Sequence, residues 1–420
     1  MRAGVRVRLT FLTLGLSFGA CGDPGFFTAP ADGGPEPEDA GPVVDPFEQE
    51  RPSDELYATD RVPTFELEIA DDDWQTLIDN PTGADWERPF VPATFTYVDA
   101  DEVVEEVGVH FQGGYSLVNV RNGKYGFTIH FNEYDSDRLW RGLRHMKLKS
   151  PGFDASLLVE PIAYDVYRAM GLWAPRANHA RLYVNGDYYG VYVNVEDVDQ
   201  SFLSRRFRRD WGELWKISDG GWSSDFIGGG GYGGGGLAWR FHEETNEDDD
   251  GGDTLLARLL ETWDDDGAFP GAIERHLDVE QALRQIACDL ALDNWDGMST
   301  SAWNFYFYRD VDDERFQTIP WGPDASFDQP GGIDVFTPGQ ESSRRLVNAY
   351  PDEFEAALQD LVDGPLQADL LVRQVDDGYD RIAEHEADDW RNVAEFEAEV
   401  PLVRDAMERR AEAVTARLRD

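Results

Sequence analysis

Asn294, Asp296, Asn304 and Asp324 are the residues of this chain whose types and spacing best support chemistry. All four lie in one stretch, LDNWDGMSTSAWNFYFYRDVDDERFQTIPWGPDASF, which runs from Leu292 to Phe327. The first three precede an aromatic strand pattern, Phe305, Tyr306, Phe307 and Tyr308. A polar hairpin follows, then a second apolar run that ends at Asp324. Two strands that deliver Asp and Asn side chains to one end form a site for a divalent metal and a phosphate. Mg²⁺ favours one or two carboxylates, some waters and substrate phosphate oxygens over an all-protein cage. Each residue also has a plainer reading. Asp296 can turn the NWDG backbone, Asn304 can start its strand, and Asp324 can cap the turn after Pro323. Their joint order beside two aromatic strands favours the chemical reading.

A phosphate site also needs cations and backbone donors. VGVHFQGGYSLVNVRNGKYGFTIHF supplies a strand, a Gly-rich bend (Gln112, Gly113, Gly114, Tyr115, Ser116), and Lys124 at the next strand. Such a bend can aim backbone N–H groups at a phosphate, with Lys124 as counter-charge. Lys147, Lys149 and Lys216 are other candidates in a chain poor in lysine. Glu160 is placed to pair with Lys124, as a helix Glu pairs a strand Lys in protein kinases. Glu196 lies either near an adenine-binding edge or at the start of a helix. The order Asp296, Asn304, Asp324 is that of a catalytic-loop Asp, a later Asn and a metal-binding Asp in those enzymes, with different spacing. There is no Ser-His-Asp spacing and no Cys/His metal cluster, and HEETN lacks the second His of a zincin.

Charge constrains the partners. Among 420 residues, Lys and Arg number 37 against 83 Asp and Glu, a net charge of −46. That field repels nucleic acid and anionic headgroups, so neither is an expected partner. It repels nucleotides too, so any nucleotide site must carry its own local cations or metal. With 41% hydrophobic residues the chain is too rich in core-formers to be disordered overall.

The first 20 residues read as a signal peptide, with Arg2, Arg6 and Arg8 ahead of an apolar stretch from Leu9 to Phe18. Gly19 and Ala20 precede Cys21, the pattern of a lipidated cysteine, with a plain secretory signal as the alternative. The stretch is short for a membrane span. The expected location is therefore outside the cytoplasm, membrane-anchored through lipid on Cys21 or else secreted. Residues 21–55 read as a Pro-, Gly- and acid-rich tether. Cys288 sits in an apolar helical pattern and reads as a buried, inert thiol.

These residues must be positioned by a mixed architecture. FELEIA alternates as a strand and DDDWQTLID opens a helix with carboxylates in its first turn. Further strand patterns occupy 95–97, 103–111, 127–131 and 146–148. Asp154 is a candidate N-cap for a helix to about Met170, which Gly171 ends. Strands over 177–184 and 189–195 flank Asn185-Gly186, a strong hairpin signal. Residues 219–252 form a Gly-rich and acidic insertion. Asn246, Asp248, Asp250 and Gly251 match half of a calcium loop, but Ala257 stands where its Glu belongs, so a solvated acidic loop is expected. The glycine run lacks the GK[ST] ending of a phosphate loop. Helical patterns fill 253–264, 268–293 and most of 343–420.

Taken together, these segments resemble the CotH family of spore coat protein H-like atypical protein kinases, over roughly residues 63–330. The matching motifs are FELEI with DDDWQTL, VGVHFQGGYS with KYGFTIHF, KLKSPGFDASLLVEPIAYDVYRAMG, ARLYVNGDYYGVYVNVEDVDQSFL, GELWKI, LALDNWDG, WNFYFY and IPWGPDASF. The resemblance implies an α+β, protein-kinase-like fold with antiparallel sheets over residues 56–340 and a helical region over 341–420. It implies ATP with Mg²⁺ or Mn²⁺ as cofactors, and a Ser or Thr of an acceptor protein as substrate. By the same analogy Asp296 is the catalytic Asp, and Asn304 and Asp324 hold metal. Lys124, Gly113, Gly114, Ser116, Glu160 and Glu196 then serve the nucleotide. Gly322 departs from the family pattern Pro-Trp-Asp-x-Asp, leaving one carboxylate fewer. A monomer is expected. A catalytically weak surface binding or adhesion module is the alternative, and a carbohydrate- or calcium-binding surface protein a third.

Overall fold

Alternation of apolar residues along seven strands builds the first half of the molecule. The computed structural model describes residues 51–80, 88–113, 117, 120, 122–217, 225–227, 241–245, 250–327 and 332–419. The expected signal peptide, Cys21, Gly114, Ser116 and most of the 219–252 insertion lie outside the described residues. The elements begin with β1 (Thr64–Ile69), α1 (Asp71–Asp79), β2 (Val91–Tyr97), β3 (Glu102–Gln112), β4 (Gly126–His130) and β5 (His145–Lys149). They continue with α2 (Val159–Ala169), β6 (Ala177–Val184) and β7 (Asp187–Val195). Among the described residues these strands close into a barrel in the order β1-β2-β3-β4-β5-β7-β6. Every pairing is antiparallel except the closing one, where β1 runs parallel to β6 with Phe65 opposite Leu182. Phe65, Leu67, Phe95, Phe111, Phe127, Ile129, Met146, Leu148 and Leu182 fill the interior, the alternate positions that period-2 geometry turns inward. The hairpin at Asn185-Gly186 forms as its residue types predict, with φ of 52° and 81°.

The antiparallel sheets expected from sequence are thus present, but the larger one is a closed barrel. The reason is the β1–β6 pairing, which joins segments more than a hundred residues apart and leaves no local signal.

The second half begins with α3 (Gln200–Arg206), β8 (Leu214–Ile217), β9 (Phe241–Glu243), α4 (Asp250–Asp264), α5 (Val279–Ala291), β10 (Phe305–Arg309) and β11 (Phe316–Pro320). It ends with α6 (Glu341–Ala349), α7 (Pro351–Asp363), α8 (Ala368–Glu386) and α9 (Val393–Arg417). Among the described residues a four-stranded sheet runs β11-β10-β8-β9. A separate apolar core joins α2 (Ile162, Tyr164, Tyr167) and α5 (Leu283, Ile286, Cys288, Leu290) to Phe354, Leu358, Leu371, Phe396 and Met407 of the last helices. The C-terminal helices therefore share this core with α2 and α5. The helix expected over 268–293 is shorter, because Pro270 has no N–H to donate and the chain forms a short 3₁₀ turn at Ile273–Arg275 before α5. Cys288 is wholly buried, as its apolar surroundings in the sequence suggest. Among the described residues no helix is long and apolar enough to cross a membrane.

Candidate active site

Strand β5 carries two faces. Met146 and Leu148 point into the barrel core, so His145, Lys147 and Lys149 lie on the other face. Lys149 at the strand end reaches two carboxylates, Glu160 Oε1 at 2.6 Å and Asp324 Oδ1 at 3.3 Å. Glu160 sits in the first turn of α2, where a carboxylate also suits the helix dipole. Asp154 starts that helix from five residues upstream, accepting from the N–H groups of Ser156 at 2.9 Å and Val159 at 2.8 Å. Asp154 is thus not the N-cap expected from sequence: the helix begins at Val159 with Leu158 at its N-cap, and Asp154 braces the turn that leads into it. Burial pushes the Asp154 carboxyl up to about 6. Burial alone would lower the Lys149 ammonium, but Asp324 and Glu160 outweigh it and hold the pKa above its ordinary value.

The loop after α5 is shaped around a buried carboxylate that the sequence did not single out. Asp289 accepts from the Tyr167 hydroxyl at 2.7 Å and the Ser299 N–H at 3.0 Å. Asn294 in turn donates to the Tyr167 hydroxyl at 3.1 Å. Gly297 packs against this carboxyl so closely that a Cβ there would fall 2.7 Å from Asp289 Cγ. The loop so held presents Asp296, whose Oδ2 accepts from Asn304 Nδ2 at 2.6 Å. Burial, and after it the charge of Asp324, pushes the Asp296 carboxyl up to about 7.

Asn304 leads into β10 with φ of 51°, and Gly322 follows β11 with φ of 53°. The Gly322 N–H donates to the Tyr164 hydroxyl at 2.9 Å, which fixes the turn to α2. A Cβ built on Gly322 would lie 3.4 Å from Asn304 Cγ and 3.6 Å from Asp324 Oδ1. Asn304 and Asp324 thus flank one point. Asp296, Asn304, Asp324, Lys149 and Glu160 form one continuous polar cluster between the two cores.

The donor set fits a divalent cation. Asn304 carries an amide oxygen and Asp324 a carboxylate, both close to Gly322, while the Asn304 amide nitrogen donates to Asp296. Burial, and after it the charge of Asp324, holds the Asp154, Glu160 and Asp296 carboxyls above their ordinary values, and a cation among them would favour their ionised forms. Carboxylate and amide oxygens are the hard ligands that Mg²⁺ and Mn²⁺ take.

Two sequence expectations are corrected. Lys124 does not pair with Glu160. It is 1% exposed, bonded to Asp389 and 3.6 Å from Glu386, on the far C-terminal helices. Lys149 takes the place expected of it, and the strand alternation of KLK was the available signal. Glu196 does not offer a free carboxylate to a nucleotide. Arg176 at 2.8 Å and Arg206 at 2.5 Å engage it, outweighing the burial that would raise its pKa and holding it well below the carboxylate range. Gly113 ends β3 with φ of 109°, a left-handed conformation suited to glycine. Sequence reasoning also missed His145, Asp197 and Asp199, which come together across the β5–β7 pair. No spacing pattern marks residues so far apart in the chain.

Residues 109–414 match the sequence pattern of the CotH kinase protein family. The chain belongs to this family. The matched region runs through α6, α7 and α8 and into α9, in agreement with the core those helices share. Inner spore coat protein H of Bacillus subtilis is 26% identical over 203 residues, 48% of this chain and 54% of that protein. Invasin CotH3 of Rhizopus delemar is 23% identical over 270 residues, 62% of this chain and 43% of that protein. The chain spans about half the length of the curated relatives it matches. Among solved structures, the Helicobacter pylori proinflammatory kinase CtkA aligns over 64% of this chain and 88% of its own. Its identity is 10% and its TM-score 0.27, too low to equate the folds.

Proposed function

We propose that this CotH-family protein is an exported protein kinase that transfers the γ-phosphoryl group of ATP to a Ser or Thr of a surface or secreted protein. The observation that carries this reading is the grouping of Asp296 with Asn304, of Asn304 and Asp324 about Gly322, and of Asp324 with the Lys149–Glu160 pair. Asp296 orients the acceptor hydroxyl and receives its proton as the hydroxyl oxygen bonds the γ-phosphorus and the bond from that phosphorus to the departing ADP breaks. Lys149, steadied by Glu160, supplies positive charge to the phosphates in a chain of net charge −46. Asn304 and Asp324 would hold Mg²⁺ or Mn²⁺. When bound, that ion offsets charge on the phosphoryl oxygens and orients them. The tyrosines Tyr164 and Tyr167 fix the two loops that present these groups, so that catalysis rests on positioning and electrostatics. In this reading the chain acts as a monomer outside the cytoplasm, touching membrane only through lipid on Cys21, and nucleic acid is not a partner.

The deciding experiment incubates the purified protein with labelled ATP, Mg²⁺ or Mn²⁺, and dephosphorylated casein as acceptor. Transfer that depends on metal and falls at least a hundredfold in Asp296→Asn and Asp324→Asn supports the proposal. Absence of transfer, or transfer that both variants leave intact, overturns it. A second reading, a surface binding protein with little catalysis, draws on Gly322 in the metal loop and on the invasin name of the Rhizopus relatives. In that case the same assay shows ATP binding without turnover.

A further inference from the structure

The start of β5 presents a second set of ligating atoms, separate from the cluster at its end. His145 opens the face that Lys149 closes, four residues and roughly 13 Å further along the strand. Opposite His145 comes the segment that leaves β7. Lys147 pairs with Val195 in the antiparallel ladder, so continuing the register sets Asp197 across from His145. Two residues later Asp199 caps α3, accepting through Oδ1 from the N–H groups of Ser201 at 2.7 Å and Phe202 at 3.0 Å.

Each of these side chains has one end occupied by the protein and the other turned to a shared point. Lys147 lies 3.4 Å from Asp197 Oδ1, leaving Oδ2 toward His145. The His145 ring stacks on His130 with centroids 3.6 Å apart, which fixes its plane. Its Nδ1 lies 3.3 Å from Asp197 Oδ2 and 3.2 Å from Asp199 Oδ2. One ligand atom from each residue falls within 4.8 Å of the other two. An independent sign of a ligand is the state of Asp199. The residue is 8% exposed, and its Oδ2, aimed into the cluster, accepts no aligned hydrogen bond, with His145 Nδ1 beside it at 3.2 Å. A buried carboxylate oxygen left unsatisfied is costly, and an ion between the three groups would satisfy it.

We infer that His145 Nδ1, Asp197 Oδ2 and Asp199 Oδ2 bind a first-row divalent metal ion, Zn²⁺ or Mn²⁺. Imidazole with two carboxylates suits these ions better than Mg²⁺ or Ca²⁺, which prefer all-oxygen shells. Three protein ligands leave the remaining positions to water. The groups on the outer side of the ligands, Lys147 on Asp197 and the α3 backbone on Asp199, are the supports such sites use to orient ligands. The ion joins the end of the β5–β7 ladder to the start of α3, and so clips the barrel to the segment leading into the helical half. The competing arrangement is a protonated His145 lying between two carboxylates with no metal.

The test uses the full chain stripped of metal and titrated calorimetrically with Zn²⁺ and separately with Mn²⁺. Nucleotide is left out, and excess Mg²⁺ occupies exposed carboxylates. One equivalent of Zn²⁺ or Mn²⁺ binding that persists in Asp324→Asn, and weakens at least tenfold in Asp199→Asn, supports the site. Asn is a good helix N-cap, so Asp199→Asn keeps the fold while removing the ligand charge. A Co²⁺-loaded protein should show a visible absorption band that His145→Gln abolishes. Failure to bind, binding that Asp199→Asn leaves unchanged, or binding lost in Asp324→Asn overturns the inference.

Discussion

The ammonium of Lys149 lies 2.6 Å from the carboxylate of Glu160. This contact joins β5, whose inner face belongs to the barrel core, to α2, which belongs to the helical core. Asp324 adds a third element to the same ammonium at 3.3 Å. A residue so placed feels any shift of the two halves against each other, and positions its charge at their boundary.

Lys149→Met should therefore remove most phosphoryl transfer while leaving the fold. Loss of one electrostatic donor to a transferring group costs about 10²–10³ in rate. Lys149→Met also leaves Glu160 and Asp324 without their counter-charge, so Glu160→Gln combined with it should restore stability but not activity. Casein phosphorylation and thermal unfolding, measured on both variants, check this. Activity above a tenth of wild type in Lys149→Met would assign the role elsewhere.

Lys124→Met should have the opposite profile. Its ammonium is buried against Asp389 and Glu386, contacts that tie the start of β4 to the junction of α8 and α9. Removing one partner of a buried ion pair costs about 3–5 kcal/mol, because the remaining charges are stranded. Urea unfolding should show that loss, and Asp389→Asn in the same chain should recover part of it. Activity per folded molecule should stay near wild type.

The contrast between these two lysines marks what was legible in the sequence. Asp296, Asn304 and Asp324 were legible because they flank one hairpin, β10–β11, and local strand geometry brings them to one end. Asn185-Gly186 was legible for the same local reason. Lys124 was mistaken for the site lysine because its partner Asp389 stands 265 residues away, and nothing near Lys124 reports that burial. Asp289 read as one more helix residue, since its role depends on the fold of the following loop and on Tyr167 of another helix. The barrel closure and the grouping of His145 with Asp197 and Asp199 were hidden likewise. Both rest on strand pairing between distant segments.

Acid should destabilise the protein partly through His179. Its Nε2 lies 2.8 Å from the Leu157 carbonyl, and its Nδ1 is buried without a partner. Burial holds the imidazole down to about 4 against an ordinary 6.5. The unfolded chain takes up a proton near 6.5 that the folded chain refuses until about 4, so the contribution is full above 6.5 and lost as pH falls toward 4. At most it amounts to about 3 kcal/mol. Asp154, Asp289 and Asp296, raised to about 6, 6 and 7, oppose it, since their protonation favours the folded state. Comparison of wild type with His179→Gln isolates the histidine. The stability difference between them should change across this window, in the direction of wild-type loss, and a difference flat in pH contradicts the assignment.

Gly322→Asp should strengthen metal binding at the proposed centre. Gly322 has φ of 53°, a region that Asp and Asn visit more readily than other side chains, at a cost of roughly 1–2 kcal/mol. The new Cβ would meet Asn304 and Asp324 at 3.4–3.6 Å, ordinary contact distance, so space is not the obstacle. Its carboxylate would enter between the two residues proposed to hold the ion. Without metal the added charge repels Asp324, and the variant should melt below wild type. With Mn²⁺ present that repulsion becomes attraction to the ion. The Mn²⁺ concentration that half-saturates ATP binding should then fall about tenfold, equivalent to about 1.4 kcal/mol. Gly322→Asn shares the backbone strain and the shape but adds no charge, and should leave the Mn²⁺ requirement near wild type. Equal behaviour of the Asp and Asn variants in a Mn²⁺ titration would mean that the ion does not sit between Asn304 and Asp324.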